Sequence, residues 1–130
     1  MAGLIVLDAS VLIAHLDASH DHHARATGLL AETRAAPLEA SPVTIAEVLV
    51  GPARAGRMRD ARSALRALGV GERPFGADAS ARLATLRAAT DLKLPDCCVL
   101  LAAEDAAADS VFSFDDRVAA AASAAGFSVP

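Results

Sequence analysis

The stretch GLIVLDASVLIA, residues 3–14, contains the strongest indication of the fold and the first candidate site residue. Gly3 to Leu7 form a continuous apolar run rather than an alternating one, which is typical of a strand buried on both faces. The run ends at Asp8, and the following SVLIAHL has the apolar spacing of a helix. We therefore expect a central strand that leads directly into a helix, with Asp8 at the junction.

Strands and helices are predicted to alternate along the rest of the chain. The strand-like segments are PLEA (37–40), DSVFSF (109–114) and, as a candidate final strand, FSVP (127–130), while GVGERPF (69–75) predicts a turn and a short extended piece. Helices are expected over residues 21–36, from about Pro42 to Val50 with a stop at Gly51-Pro52, over Met58–Leu68, over 78–92, from Pro95 to Ala103 and over 115–126. Such alternation implies right-handed crossovers between parallel strands. The expected fold is α/β, a three-layer α/β/α sandwich with a central parallel sheet, forming a single domain over residues 1–130.

Composition and charge limit the classes of function. No apolar run reaches about 18 residues, and the opening MAGLIVLDAS lacks the basic flank and cleavage site of a signal peptide, so a soluble, cytoplasmic protein is expected. The adjacent Cys97 and Cys98 are poorly placed for a disulfide and too few for a cysteine-rich zinc site, which predicts small core residues. The net charge is −4, but Ala53 to Ala89 hold eight arginines against three acidic residues. One surface can therefore meet phosphates while another gathers carboxylates.

Four carboxylates form the candidate site: Asp8, Glu47, Asp96 and Asp115. Ligands of open parallel sheets bind at the carboxyl ends of the strands, and Asp8 and Asp115 each follow a predicted strand. The other two are expected to share a helix face with mostly apolar neighbours, namely Val43, Thr44 and Val50 for Glu47, and Val99, Leu100 and Ala103 for Asp96. That spacing would point the Glu47 carboxylate toward apolar surroundings.

A cation is the expected partner of these acids. Carboxylates that lie close together repel one another until protons or cations neutralise them. Since no histidine or thiol lies at a matching position, all-oxygen ligation by Mg²⁺ or Mn²⁺ fits best. Each acid also has a simpler interpretation: Asp8 and Asp115 could cap helices, and Asp96 could favour a helix N-terminus. An inward-facing Glu47 is harder to explain without a partner.

The segments IVLDASVLIA, TIAEVLVG, KLPDCCVLLAA and FSFDDRVAAAA together resemble the four signature stretches of the PIN domain, in the right order and at roughly the right spacing. The resemblance runs from Ile5 to Val129 and is strongest to the VapC toxin branch, with D-A-S-V-L-I and L-P-D as its most specific parts. It implies that the four acids take the metal-site positions of that family.

The resemblance also implies supporting positions. Ser113 falls where the family often has threonine in a T-x-D pattern, so a hydroxyl that orients the site is retained. Ser10 either takes a similar polar role or caps the first helix. The pattern needs one acid after the last core strand, and the S-x-D register favours Asp115, which leaves Asp116 to the first turn of the helix or to a water-mediated contact.

The activity implied by the resemblance is that of an endoribonuclease that hydrolyses RNA with a metal-activated water. Asp8, Asp96 and Asp115 would hold Mg²⁺ or Mn²⁺ directly, and Glu47 would ligate the ion or act through water. The family resemblance further implies a homodimer and a cognate VapB-like antitoxin, as in a type II toxin–antitoxin system.

Two other groups of residues could contribute to binding. The candidate contacts to an RNA backbone are Arg54, Arg59, Arg62 and Arg66, for which a solvated helix face is an equal alternative. His15, His20, His22 and His23 crowd one region, but a surface helix start explains them because no acid or cysteine completes a zinc site at familiar spacing. With four phenylalanines and neither Trp nor Tyr, base stacking on an aromatic surface is not the expected way of holding RNA.

Three alternatives to a toxin ribonuclease are compatible with parts of the sequence. A signalling receiver domain would need a lysine after a late strand, whereas the only lysine is Lys93, before Pro95. A catalytically idle PIN scaffold could bind RNA or protein, although all four acids are present. A nuclease acting on DNA flaps fits less well because the chain is short and has no helical-arch insertion.

Overall fold

The computed structural model describes residues 3–130, so Met1 and Ala2 of the expected domain lie outside the described residues. Its elements in chain order are β1 (Ile5–Leu7), α1 (Ala9–Leu16), α2 (His23–Glu32), β2 (Leu38–Ala40), α3 (Pro42–Arg54), α4 (Met58–Leu68), β3 (Val70–Glu72), α5 (Ala79–Thr90), α6 (Leu94–Asp105), β4 (Ser110–Phe112) and α7 (Asp116–Ala124). The strands form one sheet in the order β3-β2-β1-β4, and every pairing is parallel. The predicted parallel α/β fold is confirmed.

The central strand separates two hydrophobic layers, because successive side chains of a strand point to opposite faces. Ile5 and Leu7 pack into a cluster with buried residues of α1, α2, α3 and α4, while Val6 packs into a second cluster with α6 and α7. Cys97 and Cys98 are buried on α6 as free thiols, which confirms their prediction as core residues. All three residues of β1 are buried, in agreement with the continuous apolar run of the sequence.

Several predicted boundaries are wrong: α2 covers His23–Glu32 rather than residues 21–36, and β4 ends at Phe112 rather than at residue 114. Helix α3 does not stop at Gly51-Pro52 but continues to Arg54, since a proline in the last turn removes only one backbone donor, and the Ala55 N–H still donates to the Gly51 carbonyl (3.1 Å). The segment FSVP does not form a strand. It meets β4 through one isolated bridge between Ser110 and Ser128, because only two backbone hydrogen bonds join them.

The short extended piece predicted within GVGERPF is β3, which pairs with β2 and forms one edge of the sheet. Arg73 follows β3 directly and stabilises this edge, because its guanidinium donates two hydrogen bonds (2.7 and 2.9 Å) to the Glu39 carboxylate on β2. Among residues 3–130, no helix has both the length and the apolar character needed to cross a membrane.

Candidate active site

Asp8 lies at the carboxyl end of β1, where three donors hold its carboxylate. Its backbone N–H donates to the Phe112 carbonyl of β4 (2.9 Å), and the residue is only 6% exposed. Oδ1 accepts from the Ala9 N–H (2.8 Å), so Asp8 caps α1, while Oδ2 accepts from the hydroxyls of Ser10 (2.8 Å) and Ser113 (2.7 Å). These hydrogen bonds fix the carboxylate in one orientation.

Ser10 and Ser113 connect the loop after β4 to Asp8 through hydrogen bonds. The Ser113 hydroxyl accepts from the Asp115 N–H (3.0 Å), and the Ser10 hydroxyl accepts from the Phe114 N–H (3.0 Å). Each hydroxyl therefore joins a backbone donor of the β4–α7 loop to the same carboxylate oxygen. Ser10 lies in the first turn of α1 and does not cap it, since Asp8 occupies the cap position.

Asp115 caps α7 with one carboxylate oxygen. Oδ1 accepts from the N–H groups of Arg117 (2.9 Å) and Val118 (3.1 Å). Within residues 3–130 its Oδ2 accepts no hydrogen bond, so capping leaves one oxygen available to a ligand. Asp116 is the first residue of α7 and is exposed, as expected for a first-turn acid.

Glu47 does not point into apolar surroundings, contrary to the expectation from helix spacing. The face of α3 that enters the core carries Thr44 and Val48, and Glu47 is exposed at the rim because one residue along a helix is a rotation of about 100°. Its carboxyl faces the other acids. Partial burial of the carboxyl raises its pKa, and the charges of Asp8 and Asp96 raise it further.

Asp96 lies in the first turn of α6 and is half-buried. Burial is the main cause that raises its pKa, and the charges of Asp8 and Asp115 add to it, whereas Lys93 and Arg117 act in the opposite direction. These mutual effects connect all four predicted acids into one electrostatic cluster. Neither Glu47 nor Asp96 accepts a side-chain hydrogen bond from the described residues, so both carboxylates are open.

The donor chemistry of the cluster fits a hard divalent cation. The cluster consists of partly desolvated carboxylates that repel one another. The oxygens of Glu47 and Asp96 and one oxygen of Asp115 accept no hydrogen bond from the described residues, so they are available as ligands. In the part of the chain that the structure describes, no three His, Cys, Asp or Glu side chains are already arranged as a ligand set. Side-chain rotation of the open carboxylates would therefore have to complete the coordination.

The predicted arginines lie on α3 and α4, and α4 packs against α3 and β3. Arg54 ends α3, and the other three lie along α4; all four are exposed. Arg62 and Arg66 line a groove of about 410 Å³ together with apolar side chains of α3 and α4. The groove is lined by none of the four acids, and the assignment of these arginines to an RNA backbone stays a prediction.

The four histidines form two pairs: the rings of His15 and His23 stack with centroids 6.3 Å apart, and the ring centroids of His20 and His22 are 5.7 Å apart. His15 Nδ1 and the Thr27 hydroxyl are hydrogen-bonded (3.0 Å), and His23 Nδ1 is hydrogen-bonded to the Ala14 carbonyl (2.9 Å), so this pair ties α1 to α2. The ring of His22 lies instead beside Phe114, which stands between Ser113 and Asp115 in the chain. Sequence reasoning missed this second arrangement, since nothing in the pattern relates the start of α2 to the loop after β4.

Comparison with known proteins assigns the fold to a family. The model described as PIN domain matches residues 5–124. The solved structure of VapC20 from Mycobacterium tuberculosis, a sarcin-ricin loop cleaving toxin, is similar with a TM-score of 0.73 and 22% identity, covering 95% of this chain and 96% of that chain. A toxin-antitoxin complex from Klebsiella pneumoniae gives 0.69 and 23%, covering 89% and 90%, and FitAcB from Neisseria gonorrhoeae gives 0.69 and 19%, covering 96% and 95%. No curated protein sequence matches significantly.

Proposed function

Because this chain belongs to the PIN domain family, we propose that it is a metal-dependent endoribonuclease and the toxic component of a type II toxin–antitoxin system. The observation that carries the proposal is the acidic cluster of Asp8, Glu47, Asp96 and Asp115. Two of these acids have pKa values raised by burial and by their acidic neighbours. Uncompensated carboxylates in one cluster cost stability, so their presence together at one edge of the sheet favours a functional role.

Mg²⁺ or Mn²⁺, when bound, would supply a Lewis acid that activates water and neutralises charge on a phosphoryl oxygen. Asp96 and the free oxygen of Asp115 are the ligands that the hydrogen bonding leaves most available. Asp8 would present its remaining lone pairs in a fixed direction, because Ser10 and Ser113 hold its carboxylate. This rigidity favours a defined position for the scissile phosphodiester.

Glu47 is the residue best suited to handle a proton. A raised pKa makes its carboxylate a stronger base than an ordinary surface glutamate, and no described donor occupies it. Its place at the rim of the cluster leaves it accessible to water. In the proposed reaction Glu47 orients the attacking water or accepts its proton as the water oxygen bonds to phosphorus. The P–O bond to the leaving nucleotide breaks, and the leaving oxygen takes up a proton from solvent.

RNA as substrate and an antitoxin as partner are supported by the solved structures. One neighbour is a toxin that cleaves the sarcin-ricin loop, and another is a toxin-antitoxin complex. By analogy, a VapB-like antitoxin with a basic segment would be complementary to the acidic cluster and would block it. By the same family resemblance, we propose that the protein forms a homodimer and acts in the cytoplasm.

The test is RNA cleavage by the purified chain with Mg²⁺ or Mn²⁺, comparing the unsubstituted protein with Asp8→Ala and Asp96→Ala. Glu32→Ala, which removes an exposed acid on α2, is the matched control. We expect cleavage by the wild type and the control and a loss of at least a hundredfold in the two site variants, as is usual when a metal ligand is removed. Equal cleavage by all four proteins would reject the acidic site, and the absence of growth arrest on expression of the wild type would reject the toxin role.

A further inference from the structure

We propose that Arg25 and His22, held around the ring of Phe114, form a subsite that binds one nucleotide of single-stranded RNA beside the acidic cluster. The subsite rests on the proposed ribonuclease function and extends it, since it names residues that would position the substrate strand. Neither residue belongs to the acidic cluster.

The geometry of the subsite is compact. The Arg25 guanidinium carbon lies 4.5 Å from the centroid of the Phe114 ring, a cation–π contact. On the same ring, the His22 imidazole packs with its centroid at 5.5 Å and its plane tilted by 51°. The three side chains therefore bring a planar cation and two aromatic rings to one place.

The subsite is attached directly to the acidic cluster. Phe114 lies between Ser113 and Asp115 in the chain, and its N–H donates to the Ser10 hydroxyl, which in turn donates to Asp8 Oδ2. Only two hydrogen bonds separate the Phe114 backbone from the Asp8 carboxylate. We place the nucleotide next to the scissile phosphodiester over Phe114, because this residue adjoins Ser113 and Asp115 in the chain.

Arg25 is both oriented and available. It makes no salt bridge or side-chain hydrogen bond with any of residues 3–130, whereas Arg73 and Arg82 are each committed to carboxylates. The ring of Phe114 holds the guanidinium in position while its five N–H donors stay free for a phosphate. A positive group at this place also offsets the repulsion between an RNA backbone and the acids.

His22 supplies the recognition of a base. It is exposed, and no polar side chain of the described residues bonds its ring nitrogens. Composition alone argues against base stacking because aromatic residues are few, but tertiary packing gathers His22, Phe114 and Arg25 in one place. Unpaired bases of RNA stack on histidine, phenylalanine and the guanidinium plane of arginine. An acidic peptide could pair with Arg25 but would make no use of the ring, so RNA is the favoured occupant.

Fluorescence anisotropy with a labelled single-stranded RNA of mixed sequence tests the subsite. Measurements use the Asp96→Asn background with EDTA, so that the RNA stays intact, at pH 8 and at several salt concentrations. Arg25→Ala is expected to weaken binding several-fold and to lower the slope of log affinity against log salt by about 0.7, the value for one lost phosphate contact on a single strand. His22→Ala is expected to weaken binding about fivefold with no change in that slope.

Two further variants make the test specific. Arg34→Ala removes an exposed arginine beyond the far end of α2 and should leave the affinity and the slope unchanged. Arg25→Lys keeps the charge, so it should retain the slope while losing part of the affinity. Thermal unfolding of each variant verifies that the fold is intact.

Three results would overturn the subsite. Equal effects of Arg25→Ala and Arg34→Ala would overturn the subsite, and so would unchanged RNA binding by Arg25→Ala and His22→Ala. Labelled oligoglutamate serves as a second probe: if Arg25→Ala loses oligoglutamate binding but keeps RNA binding, the subsite is overturned in favour of an acidic peptide. If the wild type cleaves no RNA with Mg²⁺ or Mn²⁺ but Arg25→Ala still shows the expected loss of binding, the ribonuclease function fails while the subsite stands.

Discussion

Replacing Ser113 by alanine is expected to lower the free energy of unfolding by about 2 kcal/mol. The buried hydroxyl donates to Asp8 Oδ2 (2.7 Å) and accepts from the Asp115 N–H (3.0 Å). A hydrogen bond to a charged group contributes roughly 1.5–3 kcal/mol, and the loss of the hydroxyl also leaves the Asp115 N–H without its acceptor. For a chain of this size the change corresponds to a fall in Tm of about 8 °C.

Thermal and urea unfolding followed by circular dichroism measure this effect. Ser123→Ala, on the exposed side of α7, is the control and should change the free energy by less than about 0.5 kcal/mol. Ser113→Thr keeps the hydroxyl and should lie closer to the wild type than Ser113→Ala in both stability and RNA cleavage. In the cleavage assay Ser113→Ala should lose about 10- to 100-fold, since groups that orient metal ligands contribute on this scale. A Ser113→Ala protein as stable as the control would refute the role of this hydroxyl.

Three other substitutions test separate parts of the structure. Glu47→Gln and Asp96→Asn should each raise the free energy of unfolding at pH 7 without divalent ions, because burial and neighbouring acids raise both pKa values and ionisation is therefore costlier in the folded state. This gain in stability should vanish as the pH falls below about 4, because the wild-type carboxyls are then protonated in both the folded and the unfolded state. A gain that grew toward low pH would contradict raised pKa values in the folded protein. Ser41→Ala removes the N-cap of α3 and should cost about 1 kcal/mol in urea unfolding; an unchanged midpoint would contradict the capping role. Gly28→Ala, in an open helical position, should raise the free energy of unfolding by about 0.5–1 kcal/mol, whereas Gly69→Ala, at φ +81°, should lower it by about 1 kcal/mol. If both variants shifted the urea midpoint in the same direction, backbone conformation would not be the cause.

The parts of the fold that the sequence predicts well are those determined by local pattern. A fully apolar run ending in an acid marks β1 and Asp8, and Ser41-Pro42 marks the start of α3. Placement at strand ends then brings Asp8 and Asp115 to one edge of the parallel sheet. These features depend on spacing and on turn chemistry, both of which are visible in one dimension.

The features that the sequence does not predict depend on how elements pack. Helical spacing alone suggests an inward Glu47, but the packing of α3 turns Thr44 and Val48 inward instead. The contact of Arg25 with Phe114 joins α2 to the loop after β4, and no periodic pattern relates such distant segments. Single contacts between remote parts of the chain become visible only when the tertiary structure is known.

The acidic cluster is expected to bind a divalent cation and to cleave RNA with it, and removal and return of the metal test this expectation. Purified wild-type protein is treated with EDTA, dialysed, and assayed on RNA with increasing Mn²⁺ or Mg²⁺, with Asp96→Asn measured in parallel. We expect no cleavage by the stripped wild type, full recovery at saturating metal, and no recovery for Asp96→Asn. Cleavage by the stripped protein, or equal recovery of the Asp96→Asn variant, would show that the acidic cluster does not act through a bound metal ion.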